Sequence, residues 1–582
     1  MNFLKTFFAS FLAMVVFSGL SLVLVIMIFG MLAADEKVIV GNKSVLHLKL
    51  DALITEQEVE DPFAGLPIFG NEIPKIGLLK LKETIRYAKG DPKIEGIFLN
   101  VSYPMTGFSS IEEIRESITD FRESGKWVVA YADVMSEQAY YLASAADKVY
   151  LNPEGEVEFN GLTVEVTFFK RLFDKLDIKP EIFRVGDFKS AVEPFMLEKM
   201  SPENRIQLTD LINSIYDHVL EGISSSRNIP MEKLKEISDN MLAQNGSLAV
   251  QYGLVDSLLY YDEVLGKLRE RLSLEESAKV KFVRLGKYAK SIEAAKSNPD
   301  EIAVIVADGT IMPGQGGDGV VGSDTFAEEM RKARLNKKVK AIVVRVNSPG
   351  GAFQASDIMW REVSLAAREK PVIGSMSDYA ASGGYYLAMA CDTIVAQPHT
   401  ITGSIGVFSV LFDASGFLNN KIGITFDEVN TGKYGEMVTI SRPLTTAEKN
   451  VWQRRTDAIY ETFTTKAAEG RGMDVEDLKK VASGRVWTGS QAQSRGLVDI
   501  LGGYNDAIEI AAKVAGIDTY SVKLYPRQKP FFEQLMSQLA DNARINSLQK
   551  EMGEHYSYYE QWLKLKRLEG PQTRMPFELL IR

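Results

Sequence analysis

The sequence predicts an α/β protein made of one fold repeated twice in tandem, preceded by a transmembrane helix and followed by a helical tail. Three features carry that prediction. Residues 139–153 (AYYLASAADKVYLNP) recur 245 positions later as 384–398 (GYYLAMACDTIVAQP), identical at seven of fifteen positions, where chance gives about one. Short apolar runs alternate with amphipathic ones, the pattern of βαβ units around a largely parallel sheet. Finally, residues 6–34 carry no charge.

Residues 1–36 read as an anchor and its flank. The uncharged run lies between Lys5 and Asp35-Glu36, and at ~1.5 Å rise per residue it exceeds a ~30 Å hydrocarbon core. A cleavable signal peptide has an apolar region of only about 7–15 residues, so a retained helix is expected. Lys5 on the short side keeps the N-terminus in the cytoplasm. The chain is therefore expected to be a single-pass protein of the inner (cytoplasmic) membrane, with its bulk on the periplasmic, outer side.

The first repeat spans 37–269. VIVGNKSVLHLKLDALI alternates as a strand, and 62–74 (PFAGLPIFGNEIP) reads as a loop. LLKLKETIRYAKG has helical spacing and stops at Gly90-Asp91-Pro92. IEGIFLNV follows as a buried strand, SIEEIRESITDFRESG as a helix closed by Gly125, and WVVAYAD as the next strand. Residues 270–300 are charged and helix-prone, and read as a connector.

The second repeat, 301–525, runs through the same order. EIAVIVADGTI is a strand, SDTFAEEMRKARLN a helix, AIVVRVN a strand ending at SPGG, SDIMWREVSLAAREK a helix and PVIGSMSD a strand. GLVD closes both halves, at 253–256 and 496–499. Residues 526–582 have no repeat partner. They read as a helical tail with aromatics (HYSYYEQWLKLKRL) and a short apolar end, FELLI, suited to packing on the body or to an oligomer contact.

Length and composition narrow the class. A chain of 582 residues exceeds one hydrophobic core. A net charge of −10, spread along the chain, argues against a nucleic-acid groove. The single cysteine, Cys391, excludes an intrachain disulfide and a multi-cysteine zinc site. None of the four histidines stands in a metal-type H-x-x-x-H spacing.

The two repeats have lost complementary chemistry. The second holds Ser382 in DYAASGGYY, followed by Gly383, whose N–H lies beside the hydroxyl; the aligned first-repeat residue is Glu137. The first holds Lys189 in VGDFKSAVEPF, where the second has Gly435. A serine among small residues at a turn suits a nucleophile, and it equally suits a helix cap. Lys189 lies among Phe183, Val185, Phe188, Val192 and Phe195, surroundings that would favour a neutral amine by desolvation. Lys433, two residues before Gly435, is the competing base. His399 in QPHTITG is the histidine nearest in sequence, without a recognisable orienting carboxylate. The SPGG turn at 348–351 lets the backbone present N–H groups to an oxyanion, or serves as a plain strand-to-helix turn.

DYAASGGYY, DFKSAVEP, SPGG, TGSIG at 402–406, the duplicated core and the N-terminal anchor together resemble the S49 serine peptidases, in the long, duplicated signal-peptide-peptidase form. The resemblance covers about residues 1–525. It implies a ClpP/crotonase-like fold in each repeat and a Ser/Lys dyad drawn from both. Ser382 would be the nucleophile and Lys189 the general base, Gly383 and Gly351 would supply oxyanion N–H groups, and Ser404 would orient the lysine. Short, unduplicated members carry serine and then lysine on one repeat. Glu137 precedes Lys189 by 52 residues and Ser382 precedes Gly435 by 53, in keeping with that order. The resemblance further implies no cofactor, metal or nucleotide; extended apolar peptides, notably remnant signal peptides, as substrates; membrane lipid as surroundings; and a homo-oligomer, a tetramer in the long form. The crotonase-like fold also serves acyl-CoA hydratases and isomerases, and a silent membrane scaffold is a third reading. Neither accounts for the anchor together with a Ser/Lys pair.

Overall fold

The computed structural model describes residues 2–32, 40–57, 74–292, 298–317, 319–526 and 570–575. In helix α1 (Asn2–Leu32) side chains are described only over 5–21, where Phe7, Phe8, Phe11, Leu12 and Phe17 are exposed. Among the described residues no helix is long and apolar enough to cross a membrane. The stretch of α1 with described side chains is shorter than the roughly 20 residues a span needs. The expected transmembrane helix therefore rests on the sequence.

The first half threads β1 (Ser44–Lys49), α2 (Leu78–Gly90), β2 (Ile94–Asn100), α3 (Phe108–Glu123), β3 (Trp127–Met135), α4 (Glu137–Ala143) and β4 (Lys148–Val157). β1 to β4 pair in parallel, one beside the next. β2 buries residues of both faces, as a strand covered by helices on two sides does. In α3, Ile111, Ile114, Ile118 and Phe121 recur at helical spacing and are fully buried. The chain continues through β5 (Lys179–Val185) and α5 (Pro202–Arg227). Within the stretch read as a connector, β6 (Lys281–Arg284) adds to β1 as a parallel edge strand.

The second half repeats the plan with β7 (Glu301–Asp308), α6 (Ser323–Leu335), β8 (Val339–Ser348), β9 (Gly350–Ala352), α7 (Phe353–Ala367), β10 (Val372–Ala381) and α8 (Gly383–Ala388). It ends with β11 (Ile401–Gly403), β12 (Val407–Asp413), β13 (Val486–Thr488) and β14 (Ser521–Tyr525). Its main sheet has the order β13-β11-β10-β8-β7-β14.

The halves are joined by a buried ion network. Arg345 on β8, fully buried, pairs with Glu56 at 2.8 Å and with Glu113 of α3 at 2.7 Å, and Glu113 also pairs with Lys82. Asp378 on β10 caps α3 from the other half, accepting from the Ser110 N–H at 2.9 Å and the Ser110 hydroxyl at 2.6 Å.

A seven-stranded sheet crosses both halves. Its order runs Gly316–Gly317, Val320–Gly322, Thr310–Met312, β9, β15 (Gly570–Arg574), β12, β5. The expected helical tail, with its aromatic segment 555–568, lies outside the described residues; beyond it, 570–574 is a strand rather than a continuation of a helix. Gly570-Pro571 does not propagate a helix, and the two edges on either side pair with the segment as a strand.

Candidate active site

Ser382 stands where β10 turns into α8. Its φ of 54° is unusual for a residue with a side chain, and the turn is held by its N–H donating to the Gly403 carbonyl at 2.8 Å. Ser382, Lys189 and Ser404 are all fully buried.

Lys189 arrives from the other half. β5 pairs antiparallel with β12 along the whole strand, from Val407↔Val185 to Asp413↔Lys179. That pairing carries the following loop, Gly186 to Lys189, across to the 404–406 turn. The Phe188 N–H donates to the Ser483 carbonyl at 3.1 Å. The lysine stem is clasped by two second-half glycines: a Cβ on Gly484 would lie 2.6 Å from the Lys189 Cβ, and one on Gly406 would lie 3.1 Å from its Cδ.

The Lys189 Nζ lies 2.9 Å from the Ser382 Oγ, 2.9 Å from the Ser404 Oγ and 3.0 Å from the Ser404 carbonyl oxygen. Burial drives its ammonium well below the ordinary lysine range. An amine without an ion-pair partner in a dry site is held neutral, and a neutral amine hydrogen-bonded to a hydroxyl can accept its proton.

Beside the serine, α8 begins at Gly383. Gly350, with φ 96°, lies against the Gly383 amide: a Cβ there would fall 2.6 Å from that nitrogen. Gly351 is held in the sheet, where a Cβ would collide with the Ile311 carbonyl. The structure thus brings Ser382, Lys189, Ser404, Gly383 and the SPGG turn together. Sequence reading missed Gly350 as the glycine nearest Gly383, and Gly406 and Gly484 as the clasp. Gly406 lies within TGSIG, whereas Gly484 stands in no motif.

The competing residues lie elsewhere. Lys433 is exposed, its ammonium 5.6 Å from the Tyr434 ring centroid. His399 is buried against Phe108, Tyr141 and His218, with neither ring nitrogen hydrogen-bonded. Burial first, then His218 and Arg115, hold it well below the usual histidine range. With Glu112 and His218 it places three possible ligand atoms within 4.8 Å of one another, a grouping no local spacing reveals. Glu137, in the position aligned with Ser382, is buried and accepts from the Gly161 N–H at 3.0 Å; burial raises its carboxyl to about 7.

The peptidase family S49 model matches the chain twice, over residues 120–275 and 364–518. "Serine protease SPPA, chloroplastic" of Arabidopsis thaliana is 37% identical over 84% of this chain and 72% of its own length. "Protease 4" of Salmonella typhi is 33% identical over 88% and 83%, and "Protease 4" of Haemophilus influenzae 33% over 92% and 93%. A solved ClpP1 mutant from Listeria monocytogenes overlaps 35% of this chain and 94% of its own at 13% identity, with a TM-score of 0.25, too low to bear on the fold. The doubled family match and relatives aligned across most of their length establish that this chain is a serine peptidase and belongs to peptidase family S49.

Proposed function

We propose that the chain is a membrane-anchored endopeptidase working through a Ser382/Lys189 dyad. The observation that supports this most directly is the 2.9 Å contact between the Lys189 amine and the Ser382 hydroxyl in a fully buried setting. Neutral Lys189 takes the hydroxyl proton, and the Ser382 oxygen attacks the peptide carbonyl carbon. The resulting oxyanion is met by the Gly383 and Gly351 N–H groups, while the Gly350 N–H is held by the Ser348 hydroxyl at 3.1 Å. Collapse expels the amine, which takes the proton from Lys189, and leaves an acyl-serine. Water deprotonated by Lys189 then releases the acid and restores the serine. Ser404, bonded to the lysine through both side chain and carbonyl, sets the direction of its lone pair.

The anchor, the outer-side placement and the preference for extended apolar peptides such as remnant signal peptides follow from the uncharged run 6–34 and the family resemblance. The repeat boundaries and a ClpP-like architecture belong to the same reading. A homo-oligomer, a tetramer by that resemblance, agrees with the exposed apolar stretch 422–440, where Ile424, Phe426, Val429, Val438 and Ile440 face solvent.

The test is cleavage of an apolar, signal-peptide-like substrate by the full chain in detergent micelles. Ser382→Ala and Lys189→Ala are expected to lose at least about 10³-fold in kcat/KM, while Lys433→Ala retains activity. Full activity in Lys189→Ala would remove the dyad.

A further inference from the structure

Away from the dyad, three side chains that no sequence motif connects converge where the halves meet. Glu112 comes from α3 and His218 from α5, both of the first half, and His399 from the turn before β11 of the second. One ligand atom of each lies within 4.8 Å of those of the other two. The two imidazoles meet edge to face, with ring centroids 4.7 Å apart. His399 is 2% exposed and walled by Phe108 and Tyr141. Neither of its ring nitrogens has a hydrogen-bond partner among the described residues. A neutral imidazole carries one donor and one acceptor, and burying both without partners is costly. Packing alone would be served better by an apolar ring.

The surroundings complete a metal-type set. His218 Nδ1 lies 3.4 Å from the carboxylate of Glu221, one turn on along α5. That is the carboxylate–histidine arrangement that orients an imidazole and leaves Nε2 for a cation. The Tyr141 hydroxyl donates to one Glu112 oxygen, which leaves the second for a ligand bond. His218 and Glu221 also line an open cavity with Asp210, Ser214, Asp217 and Ser490, an entry path for a hydrated cation and room for water as a fourth ligand. Arg115 brings the opposing charge. Its guanidinium stacks on the Tyr141 ring at 4.6 Å and donates to the Tyr141 and Gly222 carbonyls, and Glu112, Glu221, Asp210 and Asp217 outnumber it.

We propose that Glu112, His218 and His399 form a binding site for a divalent transition metal, zinc above all, that clamps the second half onto α3 and α5. Two imidazoles and a carboxylate suit zinc over magnesium or calcium, which take oxygen ligands. Tetrahedral zinc holds its ligand atoms about 3.3 Å apart, so binding draws the three inwards. His218 and Glu112, both only partly buried, supply that movement. No step of peptide hydrolysis runs through the metal, and the site stands whether or not Ser382 is the nucleophile. Its structural reach is to β11, which follows His399: the Gly403 carbonyl accepts from the Ser382 N–H at 2.8 Å, and Ser404 comes directly after.

The test is titration of the full chain, stripped with a chelator and held in detergent micelles, with zinc chloride, alongside thermal unfolding. Native protein is expected to bind one Zn²⁺ per chain and, at about 100 Kd of zinc, to melt about 2–4 °C higher. His218→Gln and Glu112→Gln are expected to weaken binding at least about tenfold and to lose the melting shift. His218 is partly exposed, so its variant tests the site without disturbing the core. Co²⁺ on the native chain is expected to give the visible d–d bands of a four-coordinate site, absent in His399→Phe, which keeps an aromatic ring in the buried position. Native protein that binds no zinc would overturn the proposal. So would unchanged affinity in His218→Gln or an unchanged cobalt spectrum in His399→Phe, either of which would put the bound metal on other surface groups.

Discussion

Lys189 and Ser382 are 193 residues apart and come from different halves of a duplicated chain, yet their side chains meet at 2.9 Å within a single molecule. The contact is made by one antiparallel pairing, β5 against β12, which delivers the lysine loop of the first half to the serine turn of the second. Each half alone would carry one member of the pair.

The pH dependence of kcat/KM should carry the signature of a desolvated amine. As the proposed base, Lys189 works only when neutral, so activity is expected to rise with pH through its folded-state pKa. Because burial lowers that pKa well below the ordinary lysine value, the acidic limb is expected far below the alkaline range. A limb centred near ordinary lysine would mean the amine is solvated.

The same shift has a consequence for stability. The folded state binds fewer protons at Lys189 than the unfolded chain does, so stability rises with pH between the lowered folded value and the ordinary unfolded one. Lys189→Met removes that dependence. Thermal melts should show the variant at its greatest advantage at the low end of that window, with the gap closing towards pH ~10.4. A gap independent of pH would contradict a buried neutral amine.

Gly484→Ala should disable the enzyme from outside the dyad. The glycine has φ 78°, and a Cβ there would lie 2.6 Å from the Lys189 Cβ. The expected result is a loss in kcat of at least tenfold with about 1–3 kcal/mol of destabilisation. Gly432→Ala, with open space around its site, serves as the control and should behave as the native chain.

The buried ion network should set acid sensitivity. Burial pushes the Glu113 carboxyl up, but Arg345 and Lys82 outweigh it and hold it at about 2. Its contribution is complete above the unfolded value near 4.5 and is lost as pH falls towards 2. Glu113→Gln leaves Arg345 and Lys82 buried without that partner. It should cost about 3–5 kcal/mol at neutral pH, read from urea midpoints, with a flatter acid limb between 4.5 and 2.

Much of this was legible in the chain itself. The recurrence of YYLA…D…P revealed the duplication, and the swap of Ser382 for Glu137 and Lys189 for Gly435 led to the reading that chemistry is divided between the copies. Those signals are local, because a strand, its turn and the following helix are specified by neighbouring residues. Lys189 is buried, as its apolar sequence neighbours suggested, but Phe183 packs with Leu411, Leu444 and Trp452, and the glycines lying against the lysine stem, Gly406 and Gly484, come from the other half.

What tertiary structure decided was which distant edges meet. Lys189 and Lys433 are both lysines near aligned positions, and only the pairing of β5 with β12 separates a buried amine from an exposed one. The tail shows the point most sharply. GPQTR has no strand pattern of its own, and it is a strand because β9 and β12 offer hydrogen-bonding edges that it completes. Sequence determines the elements whose stabilising contacts lie nearby. Pairings between remote segments depend on edges and cavities that exist only once the rest of the chain has folded.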